Sequence, residues 1–469
     1  MKRTKIICSI GPTSAKYEVM SQMIKNGMNV ARFNFSHATE EEKRNGVELV
    51  TKINKDLNTN VAILFDTKGP DFRTCDVENG EIVLEEGKKI LIVKDDIIGT
   101  SSKITFNYKE VIDDIEIGDV ILLEDGLMKL TALSKNNDGI NCDISVGGVL
   151  GSKKGVNIPG KKLNMPFISE QDKEDIIYAC NNNGDFLALS FVSSKEDILH
   201  AREIIKSQNN DHIQIISKVE SKTAIENIDE IIEYSDGIMV ARGDLGVEMP
   251  MQELPILQKM IIKKCREQGK ICIVATEMLE SMKKNARPTR AEVSDIANAV
   301  LDGADAIMLS GETTVGKYPA EAVNFMADVC KNTEMHLDYQ NQQCCILKPD
   351  ITSAIATSVI DSTNMLDVKL IVAATMGGYT ARKISTLRPR PVILASTPSG
   401  HVARSLALNF GVYPVIVAFY NNTDEIVEDS RRRAKEMLNL KDKDIIIITG
   451  GFPNNDRVKS TNFLKIEEI

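Results

Sequence analysis

The chain has 469 residues, of which 42% are hydrophobic and 26% are charged. This length exceeds the roughly 100–200 residues of a single domain, so two or three domains are expected, and the composition excludes a mainly disordered or collagen-like protein. The formal net charge of -10 argues against duplex nucleic acid and anionic membranes as partners, because both repel an acidic surface.

Short β-rich apolar runs alternate with amphipathic stretches of helix length, a pattern typical of parallel α/β folds. The runs before residue 320 cover residues 5–10, 29–35, 61–66, 185–191, 213–217, 237–241, 271–275 and 306–309. Eight strand–helix units favour a (β/α)8 TIM barrel over a doubly wound sheet, which usually has about six strands.

A different pattern separates the third and fourth runs. Residues 71–166 alternate apolar and polar side chains on a period of two between Gly, Asn and Asp turns, as in EIVLEEGKKILIV. This pattern predicts a small β-barrel or sandwich domain inserted after strand three. Because barrel active sites lie at the carboxyl ends of the strands, the insertion would stand above the reaction site as a lid.

The last part of the chain predicts a third unit. The polar stretch NQQCC follows residue 340 as a linker, and the apolar runs KLIVAATMGG, RPVILAST, VYPVIVAF and KDIIIITGG come after it. Helical segments separate these runs, which indicates a smaller α/β domain with a mostly parallel sheet. We therefore predict a catalytic barrel from 1–70 and 167–340, an inserted lid from 71–166 and a C-terminal regulatory domain from 341–469.

Donor and acceptor side chains follow the second and third strands. Arg32 and Arg73 offer paired N–H donors to a phosphate or a carboxylate. The oxygen-bearing side chains at these two strand ends are Asn34, Ser36, Asp66 and Thr67. A set with three neutral groups and one carboxylate suits a weakly hydrated monovalent cation.

Charged residues follow the fifth and sixth strands. Lys218 and Glu220 come after one strand, and Arg242, Gly243 and Asp244 come after the next. Because neighbouring barrel strands share one rim, a cation and two carboxylates are expected to meet there. Two carboxylates suit Mg²⁺, which usually takes one or two of them together with substrate oxygens and water. A glycosidase pair is the competing use, but a chain with no Trp and 5% aromatic residues supports it poorly.

These motifs make the chain resemble the pyruvate kinase family along almost its whole length. The matching strings are TKIICSIGPTS, ARFNFSHATEEE, LFDTKGPDFRT, GSKKGVNIPG, ISKVES, MVARGDLGVEMP, ATEMLESM and RPTRAEVSDIANAVLDGADAIMLSGET. Their length and order make chance agreement negligible. The resemblance implies a glycolytic phosphotransferase that converts phosphoenolpyruvate and ADP to pyruvate and ATP, with Mg²⁺ (or Mn²⁺) and K⁺.

The resemblance also implies a role for each candidate residue. The catalytic residues would be Lys218, Arg32, Arg73 and Thr276. Substrate would be bound by Arg32, Lys218, Gly243, Asp244 and Thr276, and the nucleotide by Asn34, His37, Arg73 and Lys154. The metal ligands would be Glu220 and Asp244 for Mg²⁺, and Asn34, Ser36, Asp66 and Thr67 for K⁺. Phosphoryl transfer needs its spreading negative charge neutralised, and these cations form a rational set.

Two details qualify this assignment. Thr276 matches the family residue that delivers a proton to the enolate, but a Thr hydroxyl is too weakly acidic alone, so we expect a water relay. Ser310 and Glu312 are weaker relay candidates. Asp71 stands where potassium-dependent relatives usually carry Glu, which keeps the charge but shortens its reach.

A candidate effector loop lies in the C-terminal unit. Residues 375–380 follow a predicted strand and precede a predicted helix, an arrangement that can form an anion nest. The equivalent loop of the family binds a sugar-phosphate effector. The candidate ligands of a sugar-phosphate or nucleotide effector are Thr375, Gly377, Gly378 and Thr380.

The resemblance further implies a bacterial-type homotetramer in the cytoplasm, and nine cysteines without a CxxC pair agree with reduced thiols. A Mg²⁺-dependent lyase or aldolase acting on pyruvate enolate is one alternative, distinguished by pyruvate formation without ADP. A catalytically silent regulatory homologue is another. Such a homologue should have lost a charged rim residue, and none of those named above is missing.

Overall fold

A computed structural model describes residues 1–36, 39–161, 163–340, 350–452 and 461–469 of the chain. His37, a predicted nucleotide ligand, lies outside these ranges, as does the predicted linker stretch NQQCC. Within the described ranges, no helix combines the length and the apolar composition needed to cross a membrane.

Strands and helices alternate at first and then give way almost entirely to strands. The opening stretch contains β1 (Lys5–Ser9), α1 (Tyr17–Asn26), β2 (Val30–Asn34), α2 (Glu40–Leu57) and β3 (Ala62–Asp66). The next stretch contains β4 (Glu81–Leu84), β5 (Lys89–Val93), β6 (Lys103–Thr105), α3 (Val111–Asp114), β7 (Val120–Leu123), β8 (Met128–Asn136), β9 (Gly139–Val146), β10 (Gly148–Gly151) and β11 (Val156–Asn157).

Alternation resumes after β11 and continues to the last sheet. The third stretch contains α4 (Glu170–Asn181), β12 (Phe186–Leu189), α5 (Lys195–Ser207), β13 (Gln214–Val219), α6 (Lys222–Glu226), α7 (Ile228–Tyr234), β14 (Gly237–Ala241), α8 (Arg242–Glu248), α9 (Leu254–Glu267), β15 (Ile271–Ala275), α10 (Arg290–Asp302), β16 (Ala306–Leu309), α11 (Gly311–Thr314) and α12 (Pro319–Met335). The last stretch contains α13 (Ile351–Met365), β17 (Val368–Ala374), α14 (Tyr379–Thr386), β18 (Val392–Thr397), α15 (Gly400–Ser405), β19 (Val412–Ile416), α16 (Thr423–Leu438), β20 (Ile445–Gly450) and β21 (Phe463–Glu468).

Eight parallel strands close into a barrel in the order β1-β16-β15-β14-β13-β12-β3-β2, which confirms the predicted (β/α)8 fold. The strands are apolar on both faces, because one face fills the barrel and the other packs against the surrounding helices. On β13, Ile216 belongs to the interior cluster, whereas Ile215 and Val219 belong to the helix-facing cluster. Since side chains alternate along a strand, every second residue points toward the barrel axis.

The stretch between β3 and β12 forms a separate β unit, as the period-two pattern predicts. Six strands form one sheet in the order β11-β7-β8-β9-β5-β6, and β10 pairs with β4 in a second sheet. One apolar core that includes Phe72, Phe106 and Leu130 lies inside this unit. Strand β4 alternates exposed and buried residues, so only every second side chain contributes to that core.

The C-terminal unit is a five-stranded sheet in the order β19-β18-β17-β20-β21. Only β21 runs antiparallel to its neighbour, so the sheet is mostly parallel as predicted. Arg388 Nη1 lies 2.8 Å from Asp305 Oδ1, and Arg404 Nε lies 3.0 Å from Asp185 Oδ1. Because Asp185 and Asp305 immediately precede β12 and β16, the C-terminal unit contacts the barrel at the end opposite the strand carboxyl ends.

Candidate active site

A lysine at the carboxyl end of β13, with 12% of its side chain exposed, contacts three partners at the ends of β3, β12 and β13 itself. Lys218 Nζ lies 2.7 Å from Ser190 Oγ, 2.9 Å from Glu220 Oε1 and 3.3 Å from Asp66 Oδ1. We call these four residues, Asp66, Ser190, Lys218 and Glu220, the Lys218 cluster. The structure thus brings the predicted catalytic lysine together with one predicted Mg²⁺ ligand and one predicted K⁺ ligand.

Strand periodicity explains why Lys218 and Glu220 meet. They are two residues apart, so they point to the same side of the strand, while Val219 between them packs against the helices. Ile216, two residues before Lys218 on the same face of the strand, belongs to the interior core. The face of β13 that is apolar inside the barrel therefore becomes charged at its rim.

Arg32 and Asp66 form a second buried ion pair beside Lys218. Arg32 Nε lies 2.7 Å and its Nη2 lies 2.6 Å from Asp66 Oδ2, and Nη1 donates a hydrogen bond of 2.7 Å to Ser9 Oγ. All three side chains are buried at the ends of adjacent strands. Asp66 therefore bridges the two cations predicted to neutralise a phosphoryl group.

Burial and charge compete at each of these groups. Burial alone would raise the pKa of Asp66, but Lys218 and Arg32 outweigh it and hold that pKa below its ordinary value. Burial alone would lower the pKa of Lys218, but Asp66 and Glu220 hold it well above its ordinary value. The pKa of Glu220 is raised to about 7 by burial, against Lys218 and with a further contribution from the negative charge of Asp244. The Lys218 ammonium therefore stays charged. Of the two carboxylates, Glu220 is the one whose negative charge is less well compensated by the neighbouring cations.

The loop after β15 contains a strained threonine that contacts α8. Thr276 has a φ of 68°, which is rare for a β-branched residue. Gly243 N–H donates a 2.8 Å hydrogen bond to Thr276 Oγ1, and the hydroxyl in turn donates to the carbonyl of Ala275 at 2.7 Å. The predicted carboxylate-binding amide and the predicted proton relay are therefore in direct contact.

A cleft of about 850 Å³ opens beside this contact. Gly243, Asp244, Thr276 and Ser310 line it from the barrel, and Asp125 lines it from the turn between β7 and β8. The inserted unit therefore contributes Asp125 to the same cleft as the barrel rim. Among the residues that the structure describes, no three His, Cys, Asp or Glu side chains are arranged to hold a metal ion.

The predicted K⁺ ligands lie on two paired strand ends. Asn34 and Asp66 are register partners between β2 and β3. Asn34 Oδ1 accepts a 3.0 Å hydrogen bond from Ser36 N–H, and Thr67 Oγ1 accepts one of 3.2 Å from Ser190 N–H. The four residues are thus neighbours, although Ser36 is exposed and Asp66 is buried.

Arg73 and Lys154 lie together in the inserted unit. The N–H of Thr74 donates to the carbonyl of Lys154 at 2.9 Å, which places the two predicted nucleotide ligands on adjoining segments. Arg73 Nε forms a 2.9 Å ion pair with Asp71, and Lys154 Nζ forms one of 2.6 Å with Glu124. Both cations therefore have partners within the inserted unit rather than within the Lys218 cluster.

The predicted effector loop turns sharply before α14. Gly378 has a φ of 82°, and its N–H donates to Thr375 Oγ1 at 2.9 Å. Thr380 Oγ1 lies 2.7 Å from Thr461 Oγ1, and both hydroxyls are buried. The loop borders a cleft of about 1280 Å³ between the C-terminal unit and the barrel, and Gly377 lines that cleft.

The sequence assigns no role to two residues that organise the site, Ser190 and Arg242, although it predicts that Arg242 lies at the barrel rim. Ser190 lies inside the apolar run at 185–191, which predicts a strand residue, yet its hydroxyl contacts Lys218. Arg242 donates to the carbonyl of Thr276 at 2.6 Å and pairs with Asp295 at 2.7 Å, which holds the strained loop. The available signal for Ser190 is a single polar residue near the end of an otherwise apolar run.

Glu312, one of the two weaker relay candidates, connects two loops of the site. Glu312 is buried, and its two carboxylate oxygens accept hydrogen bonds of 2.9 Å from Leu279 N–H and 2.8 Å from Ser310 N–H. The carboxylate therefore ties the loop after β15 to the loop after β16. Because both oxygens are occupied by backbone donors, Glu312 positions the loops that contain the other relay candidates.

Comparisons with known proteins agree with this geometry. The chain matches the family models "Pyruvate kinase, barrel domain" over residues 1–323 and "Pyruvate kinase, alpha/beta domain" over residues 353–467. It is 44% identical over 474 residues to a pyruvate kinase of Staphylococcus haemolyticus, covering 100% of this chain and 81% of that protein. It is 43% identical over 475 residues to one of Clostridium perfringens, covering 100% of both. A solved pyruvate kinase structure from Cryptosporidium parvum has a TM-score of 0.93 at 37% identity, covering 100% of this chain and 96% of that one.

Proposed function

The chain belongs to the pyruvate kinase family and transfers the phosphoryl group of phosphoenolpyruvate to ADP, and we propose that this transfer takes place at the Lys218 cluster. The observation that carries the proposal is the Lys218 ammonium, which lies between Glu220 and Asp66 at the barrel rim with 12% of its side chain exposed. A transferring phosphoryl group spreads negative charge over three oxygens, so a fixed cation there lowers the barrier. Turnover of a Lys218→Met variant tests the assignment.

Glu220 and Asp244 are the proposed ligands of Mg²⁺ or Mn²⁺. Glu220 follows β13 and Asp244 follows β14, which pair in parallel, and the negative charge of Asp244 contributes to the raised pKa of Glu220. Two carboxylates on adjoining strand ends suit a hard divalent cation. When bound, the ion would neutralise charge on the phosphoryl oxygens and on the enolate oxygen. The role of the protein would be to hold both carboxylates on the rim beside Lys218.

Arg32 would hold the phosphate of the substrate. Its guanidinium has five N–H donors, and the contacts to Asp66 and Ser9 use three nitrogen atoms but leave donors on Nη1 and Nη2. The ion pair with Asp66 fixes the plane of the guanidinium before substrate binds. Pre-orientation of this kind lowers the entropic cost of reaching the transition state.

Gly243, Asp244 and Thr276 would hold the other end of the substrate. The N–H groups of Gly243 and Asp244 would receive its carboxylate, which requires Gly243 to exchange its hydrogen bond with Thr276 Oγ1. That exchange would free an acceptor position on Thr276 Oγ1, through which the hydroxyl would hold a water of the relay. A proton delivered along this relay to the enolate would yield pyruvate.

Arg73 and Lys154 would bind the nucleotide phosphates from the lid, and Asn34 and His37 are the other two proposed nucleotide ligands. Their location in the inserted unit means that closure of the lid would bring these cations toward the transferring group. Arg73 would thereby bridge the phosphoryl group and the nucleotide. The ion pairs of Arg73 with Asp71 and of Lys154 with Glu124 would hold both side chains until the nucleotide binds.

Asn34, Ser36, Asp66 and Thr67 are the proposed K⁺ ligands. The register pairing of Asn34 with Asp66 supports their proximity, and three neutral oxygens with one carboxylate suit a monovalent cation. Asp71 forms an ion pair with Arg73 at the lid, which supports a role for its carboxylate in positioning that arginine.

We expect pyruvate formation to require K⁺. The oxygen set should favour a weakly hydrated cation, so replacing K⁺ by an organic cation such as tetramethylammonium should lower turnover at saturating Mg²⁺ and substrates. A lactate dehydrogenase-coupled assay in sodium-free buffer measures this, with the coupling enzyme checked separately in each salt. Equal rates with and without K⁺ would show that these oxygens do not form a K⁺ site.

The loop at 375–380 is the proposed site of a sugar-phosphate or nucleotide effector. Its candidate ligands remain Thr375, Gly377, Gly378 and Thr380. Arg382 and Lys383 line the adjoining cleft and would supply positive charge that Met376 and Tyr379 do not. The cleft also reaches the amino ends of the barrel strands, which offers a physical connection between effector and barrel.

Fructose 1,6-bisphosphate or AMP should shift the phosphoenolpyruvate saturation curve. An effector that binds one conformation more tightly moves the half-saturating substrate concentration while leaving the maximal rate nearly unchanged. Titrating each compound at fixed ADP, Mg²⁺ and K⁺ measures the shift, and inorganic phosphate at equal ionic strength serves as the control. If neither compound moves the curve, the loop is not a site for these effectors.

The proposed assembly is a homotetramer in the cytoplasm. Each chain would have three domains, a barrel from 1–70 and 167–340, a lid from 71–166 and a C-terminal domain from 341–469. The strand order of the three units supports this division. The cysteine spacing supports a reducing compartment. Sedimentation of the purified chain would measure the number of copies.

A further inference from the structure

Ser190 is a buried hydroxyl that the mechanism above does not use. It follows β12 directly and is only 3% exposed. Its Oγ lies 2.7 Å from Lys218 Nζ, 2.7 Å from the carbonyl of Thr67 and 3.3 Å from Asp66 Oδ1. One side chain therefore links the ends of three barrel strands.

Hydrogen-bond counting fixes the direction of these contacts. A lysine ammonium has three donors and no acceptor, so each of its partners must accept. The three partners of Lys218 Nζ are Ser190 Oγ, Glu220 Oε1 and Asp66 Oδ1, which together use all three hydrogens. The proton of Ser190 is then free to bond the Thr67 carbonyl at 2.7 Å, which is closer than Asp66.

The backbone around Ser190 is held as well. Ser190 N–H donates to Thr67 Oγ1 at 3.2 Å, and Thr67 N–H donates to the carbonyl of Ala188 at 3.0 Å. Gly69 closes over this contact, since a Cβ on Gly69 would lie 2.9 Å from Ser190 Cβ. The hydroxyl is therefore anchored to β3 through several independent contacts.

We propose that Ser190 is a positioning residue for phosphoryl transfer, which aims the Lys218 ammonium by anchoring it to the backbone at Thr67. The inference rests on the proposed function, because Ser190 acts through Lys218. Glu220 and Asp66 accept hydrogen bonds from the ammonium, and each also offsets its charge. Ser190 is the one neutral partner in the cluster, and it contributes direction without changing the charge of the site.

Removing the hydroxyl should lower kcat and leave the KM for phosphoenolpyruvate nearly unchanged. A misplaced ammonium still attracts the substrate, but it no longer lies opposite the transition-state oxygens. A misplacement of about 1 Å costs about 10- to 100-fold in rate. We expect that loss in both Ser190→Ala and Ser190→Cys. The thiol is a weak hydrogen-bonding group, although it fills the space of the hydroxyl.

Ser385→Ala is the matched control. Ser385 is buried, and its Oγ donates to the carbonyl of Phe410 at 2.7 Å, but it lies in the C-terminal unit. We expect its kcat to stay within about threefold of the parent chain, with thermal unfolding measured for every variant. Should Ser190→Ala fail to fold, the cysteine variant carries the test. A cysteine variant with full kcat would overturn the proposal, because space-filling would then suffice.

A double-mutant cycle separates this inference from the proposed function. In a Lys218→Met background, Ser190→Ala should change the remaining turnover by less than about threefold, because its effect requires the ammonium. A full 10- to 100-fold loss there would overturn the inference. If Lys218→Met alone keeps its turnover, the proposed function fails and this inference fails with it. If Lys218→Met is inactive while the Ser190 variants are unchanged, only the inference is overturned.

Discussion

Replacing Lys218 by methionine should give a folded protein that still binds Mg²⁺ but turns over at least about three orders of magnitude more slowly. The change keeps most of the side-chain length and removes the charge that faces the transferring phosphoryl group. A loss of this size corresponds to about 4 kcal/mol of barrier height. Steady-state turnover at saturating phosphoenolpyruvate, ADP, Mg²⁺ and K⁺ measures it.

The neighbouring residue Lys222 offers a control for that substitution. Its Nζ lies 3.9 Å from Glu226 Oε1 on the exposed side of α6, so Lys222→Met removes one positive charge outside the cluster. We expect near-parental turnover from it, since exposed pairs contribute little. Arg32 continues to compensate Asp66 in the Lys218 variant, which favours folding. Activity within tenfold of the parent would contradict the role of Lys218.

Glu220→Ala should abolish the metal-dependent binding of phosphoenolpyruvate. Its carboxylate is one of only two proposed protein ligands for the divalent ion, so its loss leaves Asp244 alone. The substitution also leaves the Phe191 N–H, which donates to Glu220 Oε2 at 2.6 Å, without this partner. Calorimetric titration with phosphoenolpyruvate, with and without Mg²⁺, measures the coupling directly.

Glu226→Ala is the matched control for this variant, because Glu226 lies in the exposed pair with Lys222. We expect the control to keep the full difference in affinity between Mg²⁺-free and Mg²⁺-saturated protein. Unchanged affinity of the Glu220 variant at saturating Mg²⁺ would exclude Glu220 as a ligand. The two site variants have distinct signatures, since Lys218→Met should retain metal-dependent binding and lose turnover, whereas Glu220→Ala should lose both.

The apolar runs in the sequence predict most of the positions at which the barrel strands end. The runs that end near Asn34, Asp66 and Ala275 match the strand ends of β2, β3 and β15 within one residue. Such runs are visible because a parallel strand buried on both faces must be apolar throughout. The same rule misjudged β13, which extends to Val219 rather than ending at Ser217, because a charged residue at the rim interrupts the apolar pattern while the backbone pairing continues.

Ser190 shows the opposite error. The run at 185–191 is apolar enough to include it, but β12 ends at Leu189 and Phe191 has a φ of 56°. A single small polar residue inside an apolar run has no periodicity of its own. Its function depends on the turn that follows the strand, and that turn is set by contacts with Thr67 and Glu220.

Local periodicity and composition predict the order of strands and helices, the inserted β unit and the chemical types at each strand end. Which of these groups meet depends on the closed barrel, because the contacts join segments that are far apart in the chain. Ser190 contacts Lys218 across 28 residues and Asp66 across 124 residues of sequence. Such contacts require the barrel to close with β12 beside β3 after the whole inserted unit, and the same closure buries the charges and sets their pKa values.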